Sequence, residues 1–521
     1  MIKVYRNTKC RPYKYAYYVL VFLGIFSVQA LKAQRISVRQ ERGEYSYKSK
    51  DSFSSYEIKY KGKITLTQDE KGIASISSGG YFKVSKTTFG NKRAIVIESN
   101  SSGELDYIYY SGRAKAEFSE EGKAWLADIM LDVVRKTGLG AEKRVSRLYD
   151  EGGAKTVLNE ISEIESTSVK TIYFENLLAL SRLANNEIGL IAEKIGYSIS
   201  SSSQKGKLYR KYANRFLQVE SAIPAFFEGV SRISSSSEIG NVLRSIIKNN
   251  KLSVATLTFL LKATRNISSG SERGSVLRTV NESFVNNETF IDAYFSSLDQ
   301  INSSSEKGNV LRDLLQKNTL NASTMEKVLS STGKISSSSE QGAVLRKAIE
   351  KGIHNDQEVQ TQFFEAVNRM TSSSEKGVVL RNMLTQTTLT NESAILLFNA
   401  IKSIPSSSEM GNTLRKTFHL LNKNDKVDEV FFSTVKKISS YSEKANVLVA
   451  LINENNLSTN IIIQLLEASQ SISSSSEKAR ILIKLSDMIP NSDSEVKEAY
   501  KRAAKTISSD SEYRRVMEAV Y

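Results

Sequence analysis

The sequence predicts an α+β chain: an N-terminal antiparallel β-module followed by an α-solenoid of 34-residue helical-hairpin repeats. Three observations predict it. Apolar and polar residues alternate with period two from about Arg42 to Phe118, punctuated by turn residues. A phrase close to I-S-S-S-S-E-K-G-x-V-L-R then recurs to the end of the chain. Only four prolines occur in 521 residues, as suits a chain built mostly of helices.

The chain opens on a targeting segment. Lys3, Arg6, Lys9, Arg11 and Lys14 precede an apolar run from Tyr15 to Ala30, and no acid accompanies them. The run closes on small residues, Ala30 and Ala33, before Gln34. A basic start, a short apolar stretch and a small-residue exit read as a secretory signal peptide over residues 1–33. The run is shorter than the roughly 20 residues of a membrane-spanning helix. Cys10, the single cysteine, lies before the apolar run and so is not a lipidation site placed after it. Removing residues 1–33 removes six basic residues and no acid, which takes the formal charge from +16 to +10. The remaining chain has no cysteine, a composition that suits an oxidising compartment.

Residues 34–119 read as the antiparallel β-module. Its strand candidates are 64–67, 72–77, 81–86, 93–99, 104–110 and 113–118. Six to eight strands are expected in one curved sheet or small sandwich. Ile73, Phe82, Val84, Ile95 and Ile97 form its apolar face. Tyr107, Tyr109 and Tyr110, close to Arg113 and Lys115, suggest an aromatic-basic patch, although tyrosine also simply favours strands.

Residues 120–165 read as connecting helices. Trp125, Leu126, Ile129, Met130, Val133 and Val134 recur at helical spacing, so this helix packs on the sheet and ends near Gly138. Two shorter helices follow, Arg144–Glu151 and Ala154–Glu165, broken by Gly152 and Gly153. Glu120 and Glu121 follow Ser119 and suit the start of a helix as capping charge.

Residues 166–521 form the repeat region, about ten to eleven units. The acidic position falls at Glu238, Glu272, Glu306, Glu340, Glu375, Glu409, Glu443, Glu477 and Glu512, with Gln204 before them. Successive positions lie 34 residues apart, 35 in two cases. A degenerate copy at Ile164–Leu178 places Val169 there. Serine three residues before the acid makes a capping box, in which the serine accepts an orphan amide and the glutamate reaches back. A large apolar residue five before the acid, such as Ile233 or Met370, plugs the core. Leucine five after the acid, from Leu243 to Leu482, continues that face. Glycine two after the acid runs from Gly206 to Gly411 and then becomes Ala445 and Ala479. Glycine inside a helix costs up to about 1 kcal/mol, so its recurrence implies close approach by a neighbouring helix. Leu252-Ser253, Leu320-Asn321, Leu389-Thr390 and Leu457-Ser458 mark the second helix of their units. The serine clusters recur in register with apolar residues, so they are not a flexible linker.

Chemistry-bearing motifs are sparse. One cysteine and two histidines, His354 and His419, exclude a disulfide framework and a Cys/His zinc cluster. No phosphate-binding or dinucleotide glycine motif occurs. The one recurring polar feature outside the caps is an arginine six after the acid: Arg210, Arg244, Arg278, Arg312, Arg346, Arg381 and Arg415. Val449 and Ile483 then replace it. Stacked repeats align such residues in a column, a candidate partner-binding surface for acidic peptides or glycans. The alternative is that each arginine pairs with a glutamate or carbonyl of the next repeat. A charge of +10 over the exported chain and a signal leading out of the cytoplasm argue against nucleic acid.

The order of elements carries a resemblance. A strand module is followed by EGKAWLADIMLDVVRKTG (121–138), EKRVSRLYDEGG (142–153) and helical repeats opening on serine. It resembles the envelope-side extension of some bacterial signal-peptide proteins. It is also similar to the β-module plus helical-repeat extension of beta-lactam-sensor-type membrane metallopeptidases, over roughly Lys61 to Tyr521. The peptidase part is missing: no H-E-x-x-H occurs, so the resemblance implies no zinc chemistry. The expectation is a non-enzymatic, cofactor-free, secreted or periplasmic binding or scaffold protein. It would bind a protein or an acidic peptide or glycan in the envelope, with no membrane insertion once the signal is removed. The rival reading is a sensor or regulatory ectodomain held at the membrane by an uncleaved signal. A carboxylate-based envelope hydrolase is the remote third.

Overall fold

The computed structural model describes residues 35–41, 43–353, 356–386, 389–454, 457–489 and 493–520. The predicted signal segment and His354 lie outside the described residues. The architecture is an N-terminal antiparallel sheet followed by a repeated helical array.

The chain divides after Gly229 into two compact units. The division falls inside the predicted repeat region. The physical reason is local packing: Val169 and Ile172, in the first degenerate copy, lie against Gly138 at the end of the helix that covers the sheet.

In the first unit nine strands are described: β1 (Arg35–Glu41), β2 (Glu44–Lys50), β3 (Ser54–Lys61), β4 (Ile64–Leu66), β5 (Ile73–Ile76), β6 (Tyr81–Thr88), β7 (Asn91–Ser99), β8 (Leu105–Ser111) and β9 (Ala114–Ala116). Seven form one antiparallel sheet in the order β1-β2-β3-β6-β7-β8-β9, and β4 pairs with β5 as an inserted hairpin. Every connection within the seven-stranded sheet is therefore a hairpin, apart from the β3–β6 link that carries the insertion. The sequence reading named no strand before residue 64. β1 and β2 are rich in polar residues, so alternation is fainter there, whereas β3 alternates Tyr56, Ile58 and Tyr60 with Glu57, Lys59 and Lys61.

Strand alternation puts Tyr47, Ile58, Val84, Ile95 and Tyr109 in one cross-strand row. Helix α1 (Glu120–Thr137) covers this face with Leu126, Ile129, Met130 and Val133. It ends as predicted at Gly138, which takes the left-handed conformation at φ 73°. Tyr107 and Tyr109 face this core, and Tyr107 stacks on Phe118 with ring centres 4.5 Å apart. The tyrosines are thus mainly packing residues.

Helix α2 (Ala141–Glu163) is broken at the glycine pair: Gly152 and Gly153 leave helical geometry, and Gly153 has φ 69°. Its polar face holds an ion-pair network that ties the β4–β5 turn to the helices. Arg144 pairs with Glu70 and with Glu160, the latter at 3.1 Å, and Arg147 reaches Glu70 at 3.0 Å. Arg135 grips Glu160 with two bonds of 3.0 and 2.9 Å. Burial alone would raise the Glu160 carboxyl, but Arg135 and Arg144 outweigh it and hold its pKa below the usual range. A carboxyl with a lowered folded-state pKa contributes stability above its unfolded value, about 4.3, and loses it as pH falls through the folded value. Glu160→Gln is therefore expected to flatten the loss of stability below about pH 4.3 while lowering the melting temperature at neutral pH. Thermal melts of both proteins across pH 3–7 (roughly the carboxylate range and above) check this.

In the second unit each repeat is a helical hairpin, and first helices stack on first helices, second on second. Serine caps the first helix throughout. The Oγ of Ser235, Ser269, Ser303, Ser337, Ser372, Ser406, Ser440, Ser474 and Ser509 accepts the backbone N–H three residues on, at 3.2–3.4 Å. Ser253, Asn321, Thr390 and Ser458 cap second helices in the same way. The apolar residues five before and five after the acid are buried in every repeat, from Ile233 and Leu243 to Ile472 and Leu482.

Candidate functional site

The arginine column is where sequence reading placed a possible surface, and its geometry starts from the glutamate. The serine half of the capping box forms, but the glutamate does not reach back within its own helix. It crosses instead to the preceding repeat. Glu272 accepts from Arg244 Nη1 at 2.9 Å, Glu340 from Arg312 at 2.8 Å, Glu375 from Arg346 at 3.0 Å and Glu443 from Arg415 at 2.7 Å. Arg278 with Glu306 and Arg381 with Glu409 repeat the pairing. The arginine side chains are only 20–33% exposed. Asn241, Asn309 and Asn412 hold the second Nη of their arginines from one helical turn away.

The glycine two after the acid belongs to the same arrangement. A Cβ on Gly240, Gly274, Gly308, Gly342, Gly377 or Gly411 would overlap the carboxylate of the next repeat's glutamate. What approaches closely is thus a side chain rather than a helix backbone. Each junction is a three-part seat: glycine makes room, arginine supplies charge, and the following repeat's glutamate fills it.

The two junctions without arginine confirm the logic. After Ala445 and Val449, Glu477 turns to Arg480 in its own helix, at 2.7 Å. After Ala479 and Ile483, Glu512 turns to Arg515, at 2.9 Å. These are the only two of the nine repeat glutamates with arginine three residues on; the others have Asn, Ser, Ala or Val there. Glycine, upstream arginine and downstream arginine thus change together.

Six of the seven predicted binding arginines therefore lie in inter-repeat ion pairs within the second unit. Arg210 lies in the helix Ser202–Lys211 of the first unit. These six arginines match the alternative in which each pairs with a glutamate of the next repeat.

Two further ladders run parallel to it. The residue directly after the acid is buried: Lys307, Lys376, Lys444 and Lys478 are 4–8% exposed. Lys376 Nζ reaches Ser403 Oγ at the end of its own repeat's second helix at 3.1 Å, Lys444 reaches Ser471 Oγ at 3.2 Å, and Lys478 reaches the Thr506 carbonyl at 2.9 Å. Arg273 likewise donates to the Gln300 carbonyl at 2.7 Å. A cation here satisfies orphan acceptors at a helix C-terminus. Burial lowers the pKa of all four lysines. The lysine of the repeated phrase was the signal for this ladder. The third ladder links serines across repeats, as in Ser236 with Ser268 at 2.9 Å and Ser407 with Ser439 at 2.8 Å.

His419 is exposed in the short 3-10 turn Phe418–Leu420. Glu120 pairs with Lys123 and Glu121 with Arg93 at the start of α1, so both serve as helix-end charge. Among the described residues no group of three or more His, Cys, Asp or Glu is placed to hold a metal ion. No helix of the described residues is long and apolar enough to cross a membrane.

The second helices also border open clefts. Between Val254–Ala263 and Glu288–Asp299 lies an open cleft of about 470 Å³ that includes Lys262, Arg265, Asp292 and Gln300. Between Asp425–Lys437 and Thr459–Gln470 lies another of about 650 Å³ that includes Glu429, Lys436, Lys437 and Glu467.

No family model matches the sequence, and no curated protein matches it. Among solved structures the chain is similar to the crystal structure of SYS-1, with 8% identity over 75% of this chain and 78% of that one and a TM-score of 0.22. A computationally designed self-assembling cyclic homo-oligomer matches with 14% identity over 65% of this chain and 97% of its own, at a TM-score of 0.11. No residue role is carried over from either.

Proposed function

We propose that the protein is an exported, non-enzymatic binding or scaffold protein whose contact surface is the outer face of the second helices of the solenoid. One observation carries this reading. The polar residues that define the repeat are spent on the array itself, serine, glutamate and arginine between repeats and lysine between the two helices of one repeat, whereas the side chains lining the second-helix clefts differ from unit to unit. Recurring residues build the support, and varied residues line the clefts. The clefts carry both signs of charge, which suits a protein or a peptide with acidic segments. The resemblance to the helical-repeat extension of envelope metallopeptidases and the basic-apolar start of the chain support an envelope setting.

Cross-linking the mature chain in envelope extract is the test. Cross-links are expected at residues 262–300 and 429–467, and Lys436→Glu with Lys437→Glu is expected to abolish those at the second cleft. Cross-links confined to the serine-capped edge would overturn the assignment of the surface. The mature chain is expected to begin between Leu31 and Gln34, at Gln34 foremost. Intact-mass analysis that still finds residues 1–33 would instead favour the anchored ectodomain.

A further inference from the structure

Two phenylalanines on the sheet are among the most exposed large hydrophobic side chains of the described residues, Phe89 at 77% and Phe53 at 59%. They stand together. Their ring centres are 5.6 Å apart, and Phe89 N–H donates to the Phe53 carbonyl at 2.8 Å. Phe53 lies in the β2–β3 turn and Phe89 in the β6–β7 turn, adjacent because β3 pairs with β6.

Both turns are built to hold the rings out. Asp51 accepts the backbone N–H groups of Phe53 and Ser54, at 2.8 and 2.6 Å, and fixes the first. The second is a two-residue hairpin loop, Phe89-Gly90, closed by the pair Thr88 and Asn91. Both loop residues have positive φ, 47° and 84°. Such a loop favours Asn, Asp or Gly at its first position. A bulky residue held there against backbone preference, with its ring in water, points to a role outside folding.

The surroundings are basic on both faces of the sheet. Lys50, Ser55, Thr87 and Lys92 make one cross-strand row, and Tyr56, Lys86 and Arg93 the other. Lys50, Lys86, Lys92 and Arg93 are all exposed. Glu121 offsets Arg93 at 3.1 Å, and the balance at this end of the sheet stays basic, with Lys50, Lys86 and Lys92 against Asp51.

We propose that Phe53 and Phe89 form an aromatic wedge that seats this end of the sheet in the headgroup–acyl boundary of an anionic lipid bilayer. The wedge stands at two turns and is flanked by cations on both faces of the sheet. A planar anionic surface satisfies both sides at once, whereas a protein cleft would have to carry acid on two opposing walls. The β-module then rests on the membrane through this end of its sheet.

The experiment is vesicle co-sedimentation of the mature chain. Phosphatidylglycerol–phosphatidylcholine vesicles are expected to bring the protein down, and phosphatidylcholine vesicles to leave it in solution. Phe53→Ser with Phe89→Gly is expected to weaken the anionic binding about tenfold or more, from the apolar area lost. Lys50→Glu with Lys92→Glu is expected to remove the preference for anionic over neutral vesicles. Phe89→Gly alone is the folding control: glycine suits positive φ, so its melting temperature should hold or rise. Phe53→Trp should shift its emission to the blue with anionic vesicles. Wild type left in solution with anionic vesicles, or undiminished binding by the double phenylalanine variant, overturns the proposal. Ring-dependent capture of an envelope protein without any vesicle binding also overturns it.

Discussion

Replacing Leu311 by alanine lowers the stability of the repeat array by about 2–5 kcal/mol. Leu311 is fully buried, and it sits in a central repeat whose first helix, Ser304–Lys317, packs against the first helices on both sides. The leucine loses its transfer energy, and the cavity cannot collapse because both neighbours are held by their own seats. The same change at Met517 costs much less. Met517 is only partly buried, and among the residues of its helix, Asp510–Glu518, only Val516 is buried. Denaturant melts of the two variants check the pair. Equal losses would contradict an array in which each repeat is stabilised mainly by the units beside it.

Changing Arg278, Arg312 and Arg346 together to glutamine lowers stability by about 1 kcal/mol per junction, about 3 in all. The figure lies between the values for a surface pair and for a buried one, because the partners are part-buried. Glu306, Glu340 and Glu375 are 16–28% exposed and would be left facing neutral amides. If the arginines had been a free, mutually repelling row, the same change would hold or raise stability, so a thermal melt separates the two by sign. A rescue sharpens the test. The last two junctions show how a repeat manages without the arginine, with alanine in the glycine seat, an apolar residue for the arginine, and arginine three after the glutamate. Gly308→Ala, Arg312→Ile and Ala343→Arg copy that solution into the centre. The triple variant is expected to melt above Arg312→Gln alone. If it melts no higher, the coordinated replacement is not what lets Glu477 and Glu512 do without an upstream arginine.

Much of the fold was legible because its signals are one-dimensional. The serine cap, the buried Ile five before the acid and the buried Leu five after it each act within a single helix, and their spacing survives in the sequence. The halt of α1 at Gly138 and the break at Gly152-Gly153 were readable for the same reason. β1 and β2 were less so. Alternation marks a strand only where one face is buried, and at the sheet edge Ile36 and Val38 remain more than half exposed. The partner of the glutamate was illegible in principle. A serine and a glutamate three apart fit a closed capping box and an open one equally, and only the stacking of the next helix decides which way the carboxylate turns. The recurring glycine was visible and correctly implied close approach, but sequence does not say that a carboxylate makes that approach. The buried lysine was in plain sight in the phrase. A lysine between glutamate and glycine looks like surface charge until a helix C-terminus is set over it.

The seat has a consequence for how such an array can change length. Every unit from Glu272 to Glu409 both offers the glycine and arginine and inserts a glutamate into its predecessor's seat, so these units are interchangeable parts. Unequal exchange between gene copies that drops one unit from this block would join Arg278 directly to Glu340, and every carboxylate would still meet its guanidinium. The same block can gain a unit without leaving a charge unmatched. Beyond Glu443 the rule reverses. A block unit inserted after Ala445 and Val449 would bring a glutamate with neither a seat behind it nor an arginine ahead of it. Duplication is thus free in the middle of the chain and barred near its C-terminal end, by the chemistry of one side-chain pair.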